Sequence, residues 1–226
     1  MKLWLDTASI DEIREINRWG VLSGVTTNPS LVGKEGASVD FEQRLKEIAS
    51  EVDGPVNGEV TDLESSDVMV EQGLKIADIA PNMVVKVPVT PEGYAAVTKL
   101  SARGIRTNMT LCFSPAQAIL AAEAGASYIS PFLGRVDDIS SDGMSLLAEI
   151  CDIYEIQGYT TEVLAASMRS PQHVVDSAKA GADVATMPYS VFKSLVKHPL
   201  TDIGLDRFAK DWDDYQRSVR GGGKGE

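Results

Sequence analysis

Short apolar runs alternate along most of the chain with longer stretches in which apolar residues recur every three or four positions. The runs KLWLD, GVTTN, VNGEV, MVVKVPV, RTNMTL, YISPF, TTEVLAA and DVATM read as eight strands, each followed by a segment with helical spacing. Glycine marks the helix ends directly before a new strand, in RWG, ARG, EAG, IQG and KAG, where a left-handed residue closes the last turn. Helix starts are marked too. Ser9 with Glu12 and Ser114 with Gln117 fit capping boxes, Pro115 takes a first helical position, and Ser170-Pro171 repeats the serine–proline start. Eight βα units predict an α/β fold, a single-domain (β/α)8 TIM barrel over residues 1–220 with a C-terminal helical extension. A doubly wound open sheet is the alternative, but no glycine-rich dinucleotide turn follows the first strand. The last six residues, GGGKGE (221–226), are predicted to be a disordered tail. Before them, DRFAKDWDDYQRSVR places Phe208, Trp212 and Tyr215 on an amphipathic segment that packs either on a neighbour or on the chain's own barrel.

The run MVVKVPV breaks the apolar pattern at Lys86. Pro88 cannot donate to a central ladder, so the fourth strand ends near it, and Lys86, two residues earlier, shares its face. A lysine in an apolar strand is ordinarily an edge gatekeeper or a side chain that snorkels outward, yet a closed barrel has no edge. Barrel chemistry collects at the C-terminal ends of the strands. Desolvation penalises an ammonium, and a lysine amine freed in this way forms imines with carbonyls; an inward Lys86 near the barrel mouth is placed for that chemistry.

Other strand ends are polar as well. Asp6 closes KLWLD, Asn28 closes TTN, Glu59 lies in NGEV, Asn108 and Thr110 are two apart in TNMT, and Ser130 is two before Phe132 in SPF. Each has a plain structural reading: Asp6 as a cap near Ser9, Asn28 as the turn before Pro29, Ser130 as a satisfied core hydroxyl. Gathered at one rim with Lys86 they make a candidate site, because an unpaired buried polar group costs about 1–3 kcal/mol. A second cluster follows the late strands, with Arg135 after SPFLG and with Ser167 and Arg169 in AASMRSP just before a helix. Arginine, hydroxyl and helix N–H groups together form a phosphate cradle; the alternative is surface arginines in salt bridges. His173 and His198 lie outside the strand ends, with no carboxylate or thiolate at ligand spacing. Both read as structural or surface residues, and no metal is expected.

Composition narrows the function class. With 226 residues, 43% of them hydrophobic and 24% charged, the chain is expected to fold around a large core. A net charge of −12 without any lysine- and arginine-rich run opposes nucleic acid. A small anion remains compatible, since salt screens the overall charge beyond roughly 10 Å and a few focused arginines act within that range. Cys112 and Cys151 are too few for a disulfide framework and are expected as reduced, buried thiols. No apolar run approaches the roughly 20 residues that span a bilayer, and no signal-peptide pattern is visible, so no membrane partner and a cytoplasmic location are expected.

WLDTA, GVTTNPSL, VVKVPVT, TNMT, ISPFLGR and AASMRS together resemble the transaldolase family, in its short subgroup that also contains fructose-6-phosphate aldolase, over residues 1 to about 215. The resemblance implies a ketose phosphate held as a Schiff base on Lys86, with no metal or organic cofactor. It further implies Asp6 as the proton-transfer carboxylate, Asn28, Asn108 and Ser130 as contacts to substrate hydroxyls, and Arg135, Ser167 and Arg169 as the phosphate site. Homo-oligomers, pentamers or decamers, are implied too. The aldolase branch typically carries glutamine and tyrosine where this chain has Glu59 and Phe132. Glutamate with Thr110 can hold and activate a water. Phe132 has no hydroxyl to protonate a bound carbanion, which favours transfer over release. A fructose-6-phosphate aldolase and a catalytically silent sugar-phosphate-binding barrel remain the competing readings.

Overall fold

The computed structural model describes residues 1–36 and 39–221. Residues 1–192 form one unit, and the chain from Lys193 onward forms a second. The strands are β1 (Lys2–Asp6), β2 (Gly24–Thr26), β3 (Val56–Glu59), β4 (Met83–Pro88), β5 (Thr107–Cys112), β6 (Tyr128–Pro131), β7 (Glu162–Ala165) and β8 (Val184–Pro188). They are parallel and close in sequence order, β1 pairing with β8, so the ring is a (β/α)8 TIM barrel. Between them run α1 (Ile10–Asn17), α2 (Pro29–Lys34), α3 (Phe41–Glu51), α4 (Ser66–Ala77), α5 (Pro91–Ser101), α6 (Pro115–Glu123), α7 (Leu133–Asp137), α8 (Gly143–Gln157) and α9 (Pro171–Lys179); α10 (Tyr189–Ser194) and α11 (Pro199–Gly221) follow β8.

The helix punctuation behaves as its chemistry requires. Gly20, Gly104, Gly125, Gly158 and Gly181 all take positive φ, between 67° and 89°, at the ends of helical segments. Serines 65, 114 and 170 cap their helices through side-chain oxygens. The capping box expected at Ser9 and Glu12 does not form. Ser9 makes no side-chain cap, because the hydroxyl of Thr7 donates to Glu12 and accepts from the Ser9 N–H, occupying both groups. The second strand ends at Thr26, short of Asn28, whose side chain instead caps α2 by accepting from the Leu31 N–H at 2.9 Å.

Register fixes which residues enter the barrel. Asn57 lies opposite Val84, Glu59 opposite Lys86, Lys86 opposite Asn108, and Asn108 opposite Tyr128, so these alternate residues share the inner face. The bottom of the barrel is plugged by Trp4, Val84, Tyr128, Leu164 and Val184, with the Trp4 and Tyr128 rings edge to face at 5.3 Å. Gly24 makes the plug possible: a Cβ there would stand 2.6 Å from Trp4 Cε2. Above this apolar layer the inner face turns polar, toward the C-terminal ends of the strands.

Cys112 and Cys151 are buried and unbridged, and burial pushes their thiols up to about 11 and about 12. In α11, Phe208, Trp212 and Tyr215 are exposed, and Trp212 stacks on Tyr215 with ring centres 5.5 Å apart. This helix runs through Gly221, the first residue of the expected tail; the rest, 222–226, lies outside the described residues.

Candidate active site

Lys86 stands on β4 with only 6% of its surface exposed. Its Nζ lies 3.1 Å from Glu59 Oε2 on β3 and donates to the Thr27 carbonyl at 3.3 Å. The ammonium thus has a counter-ion and a carbonyl partner in a nearly dry setting. Asp6, at the end of β1, accepts from Thr26 Oγ1 at 2.8 Å, and Thr26 Oγ1 meets Thr186 Oγ1 at 2.7 Å. Burial raises the Asp6 carboxyl above its ordinary range, against the opposing pull of Lys86, the Thr26 hydrogen bond and Lys34.

Beneath the lysine lies a chain of hydrogen bonds across three strands. Ser130 Oγ donates to Asn108 Oδ1 at 2.8 Å, and Asn108 Nδ2 donates to Asn57 Oδ1 at 2.7 Å. All three are buried, and their mutual bonds hold the amides in fixed orientations. Thr110 differs. Its buried Oγ1 has no hydrogen-bond partner among the described residues, so its donor and acceptor capacity remains open to whatever enters the mouth.

A central cavity of about 160 Å³ brings together Asp6, Asn28, Lys86, Ser130, Phe132 and Arg135, and Ser167 also lines it. An adjoining cavity of about 390 Å³ adds Glu59, Thr110 and Lys34 to the same lysine and arginine. Arg135 is exposed and forms no hydrogen bond or ion pair among the described residues. Arg169 stands apart. It is exposed, does not line either cavity, and pairs with Asp138 Oδ2 at 2.8 Å. Most of the sequence-expected residues therefore line the two cavities, whereas Asn108 is fully buried and reaches them only through Ser130, and Arg169 lines neither. The plain readings of Asn28 and Ser130 also hold, since one caps a helix and the other is hydrogen-bonded while both face the cavity.

Thr26, Asn57, Thr186 and Lys34 also belong to the site although the sequence did not single them out: Thr26, Thr186 and Lys34 line the cavities, and buried Asn57 holds Asn108. Thr26 and Asn57 lie two residues before Asn28 and Glu59, where the strand period would have found them. Lys34 sits at the end of a short helix, with no periodic signal. No cluster of three or more histidine, cysteine, aspartate or glutamate side chains suited to a metal occurs among the described residues, and none of their helices is long and apolar enough to cross a membrane.

Comparison with known proteins agrees on fold and family. Solved barrels match over most of the chain: an orotidine 5'-monophosphate decarboxylase from Metallosphaera sedula has a TM-score of 0.59 at 14% identity, covering 90% of this chain and 94% of that one. A thiamine phosphate pyrophosphorylase from Pyrococcus furiosus has a TM-score of 0.56 at 16% identity, covering 86% and 93%. At such identities the likeness concerns architecture alone. Sequence relatives are much nearer. A probable transaldolase 1 of Listeria monocytogenes is 56% identical over 94% of this chain and 98% of its own length. A probable transaldolase of Clostridium acetobutylicum is 57% identical over 94% and 97%, and one of Symbiobacterium thermophilum 54% over 94% and 97%. The model of the transaldolase/fructose-6-phosphate aldolase family matches residues 3–219, and the chain belongs to that family.

Proposed function

We propose that this protein is a transaldolase, which transfers a dihydroxyacetone unit from a ketose phosphate to an aldose phosphate through a Schiff base on Lys86. The observation that carries the reading is the Lys86–Glu59 pair, with buried Lys86 lining both adjoining cavities, one shared with Asp6 and Arg135 and the other with Glu59 and Arg135. Glu59, at 3.1 Å, takes the proton that must leave Lys86 before attack, and returns it through a water held with Thr110 as the carbinolamine loses its hydroxyl. The resulting iminium is the electron sink. Asp6 removes the proton from the C4 hydroxyl, the C3–C4 bond breaks, and the first aldehyde phosphate leaves. The bound carbanion then adds to the second aldehyde, with Asp6 returning its proton.

Asn28, Asn108 and Ser130 are the groups that orient the sugar hydroxyls, and Arg135, Ser167 and Arg169 the groups that hold the phosphate. Sedoheptulose 7-phosphate or fructose 6-phosphate as donor, and glyceraldehyde 3-phosphate or erythrose 4-phosphate as acceptor, fit this reading and place the enzyme in the pentose phosphate pathway. No cofactor takes part. We extend the reading to a homo-oligomer, pentameric or decameric, which light scattering on the purified chain tests.

Phe132 lines the cavity without a hydroxyl, which favours transfer over release of free dihydroxyacetone. Incubation with fructose 6-phosphate alone, then with added erythrose 4-phosphate, separates the two: turnover only with the acceptor supports transfer, and release without it supports the aldolase. Lys86→Ala should abolish both turnover and borohydride trapping of the ketose. Trapping that survives in this variant would overturn the Schiff-base assignment.

A further inference from the structure

The chain leaves β5 and β7 through one pattern, which begins on the last residues of β5 and just past the end of β7. Leu111 and Ser167 take left-handed φ of 60° and 59°, each three residues before a capping serine, Ser114 or Ser170, that is followed by proline. Between them Cys112 and Met168 are fully buried anchors. Each serine accepts from the N–H of the third helical residue, Gln117 or His173, at 3.3 Å. That third side chain then reaches back past the cap to the preceding residue. Gln117 Oε1 accepts from the Phe113 N–H at 2.8 Å, and His173 Nδ1 accepts from the Arg169 N–H at 3.4 Å. The imidazole therefore does at the second turn what a carboxamide does at the first.

His173 also has a contact that Gln117 lacks. Accepting at Nδ1 leaves its N–H on Nε2, which faces Asp137 Oδ2 at 3.4 Å. Asp137 is itself anchored, with Oδ1 accepting from the Gly143 N–H at 2.9 Å. The ring, with 19% of its side chain exposed, thus ties α7 to the segment Ser167–Ser170. That segment is strained at Ser167 and pressed against α7, where Gly134 N–H donates to the Ser167 carbonyl at 3.0 Å. A Cβ at Gly134 would lie 2.4 Å from that carbonyl oxygen.

We infer that His173 is a positioning residue for the phosphate site, holding the strained Ser167–Arg169 turn so that Ser167 and the Arg169 backbone stay where a phosphate monoester is received. This rests on the reading of Arg135, Ser167 and Arg169 as that site. It assigns a role to a side chain that touches neither substrate nor amine.

The test is the ratio of kcat/KM for glyceraldehyde 3-phosphate to that for unphosphorylated glyceraldehyde as acceptor, with the inhibition constant of inorganic phosphate as a second readout. His173→Ala should lower the ratio about tenfold, equivalent to about 1.4 kcal/mol, and weaken phosphate inhibition in step. His173→Gln, which restores an acceptor of the kind Gln117 supplies, should stay within about twofold of the parent. A merely structural role would lower both acceptors alike, and that result, or a Gln variant as impaired as the Ala variant, would overturn the inference. His173→Leu replaces the Ala variant if the latter does not fold, with the same expected ratio. If the unaltered protein itself fails to distinguish the two acceptors, the phosphate-site reading falls and takes this inference with it.

Discussion

Glu59 and Lys86 are direct cross-strand partners on β3 and β4, and their side chains meet at 3.1 Å on the inner face of the barrel. Strand pairing alone brings them together, so no loop has to order before the pair can form. A partly buried ion pair of this kind is weak evidence for stability, because desolvation offsets its attraction. It has the geometry of a proton-exchange pair.

Glu59→Gln keeps the shape and removes the base. The expected result is a kcat lowered at least about 100-fold, the lower end of general acid–base contributions, with borohydride trapping of the ketose slowed in parallel. Steady-state rates and timed trapping measure this. A kcat within about threefold of the parent would remove Glu59 from the proton route.

Asp6→Asn tests the buried carboxyl in two ways. The raised folded-state value means that the native chain binds more protons than the unfolded chain between the ordinary 3.8 and that value, so stability falls as pH rises through this window and the cost is complete above it. The Asn variant should therefore be the more stable at pH 7, with a higher Tm than the parent, and the gap should close as pH falls toward 3.8. Activity should be lost at the same time, and the acid limb of the parent's rate profile should lie above the ordinary aspartate range. Calorimetry at several pH values checks the first statement and initial rates the second.

Phe132→Tyr places a phenol in the central cavity beside Lys86. If protonation of the bound carbanion is what separates release from transfer, dihydroxyacetone formation from fructose 6-phosphate alone should rise at least tenfold, about 1.4 kcal/mol of barrier. A coupled assay for free dihydroxyacetone reads this directly. An unchanged rate would mean that the sixth-strand side chain does not choose between the two reactions.

Much of this was legible because strands carry a period of two and helices announce their ends. Lys86 stands out as a charge in an apolar run bounded by Pro88, and the register places it on the inner face. The five helix-ending glycines were readable because left-handed backbone is cheap only for glycine. The capping box predicted at Ser9 fails because a rival acceptor and donor, Thr7, stands two residues earlier, and local hydrogen-bond competition leaves no periodic trace. Asn57 does not stand out as Lys86 does, although it shares the inner face with Glu59; its partner Asn108 lies 51 residues away, and the bond exists only once the ring has closed. His173 read as structural or surface for the same reason, since Asp137 comes near it only through packing.

The closed ring of strands also limits how this molecule can change. An open sheet can lose or gain a residue at its margin and slide, whereas here each strand is locked between two others and β8 returns to β1. Deleting one residue between Met83 and Lys86 would not nudge the amine sideways; it would turn it toward the surrounding helices and silence it. Diversification is thereby pushed outward to the segments beyond Pro88, Cys112, Pro131 and Pro188, where length can vary while Lys86 keeps a fixed address.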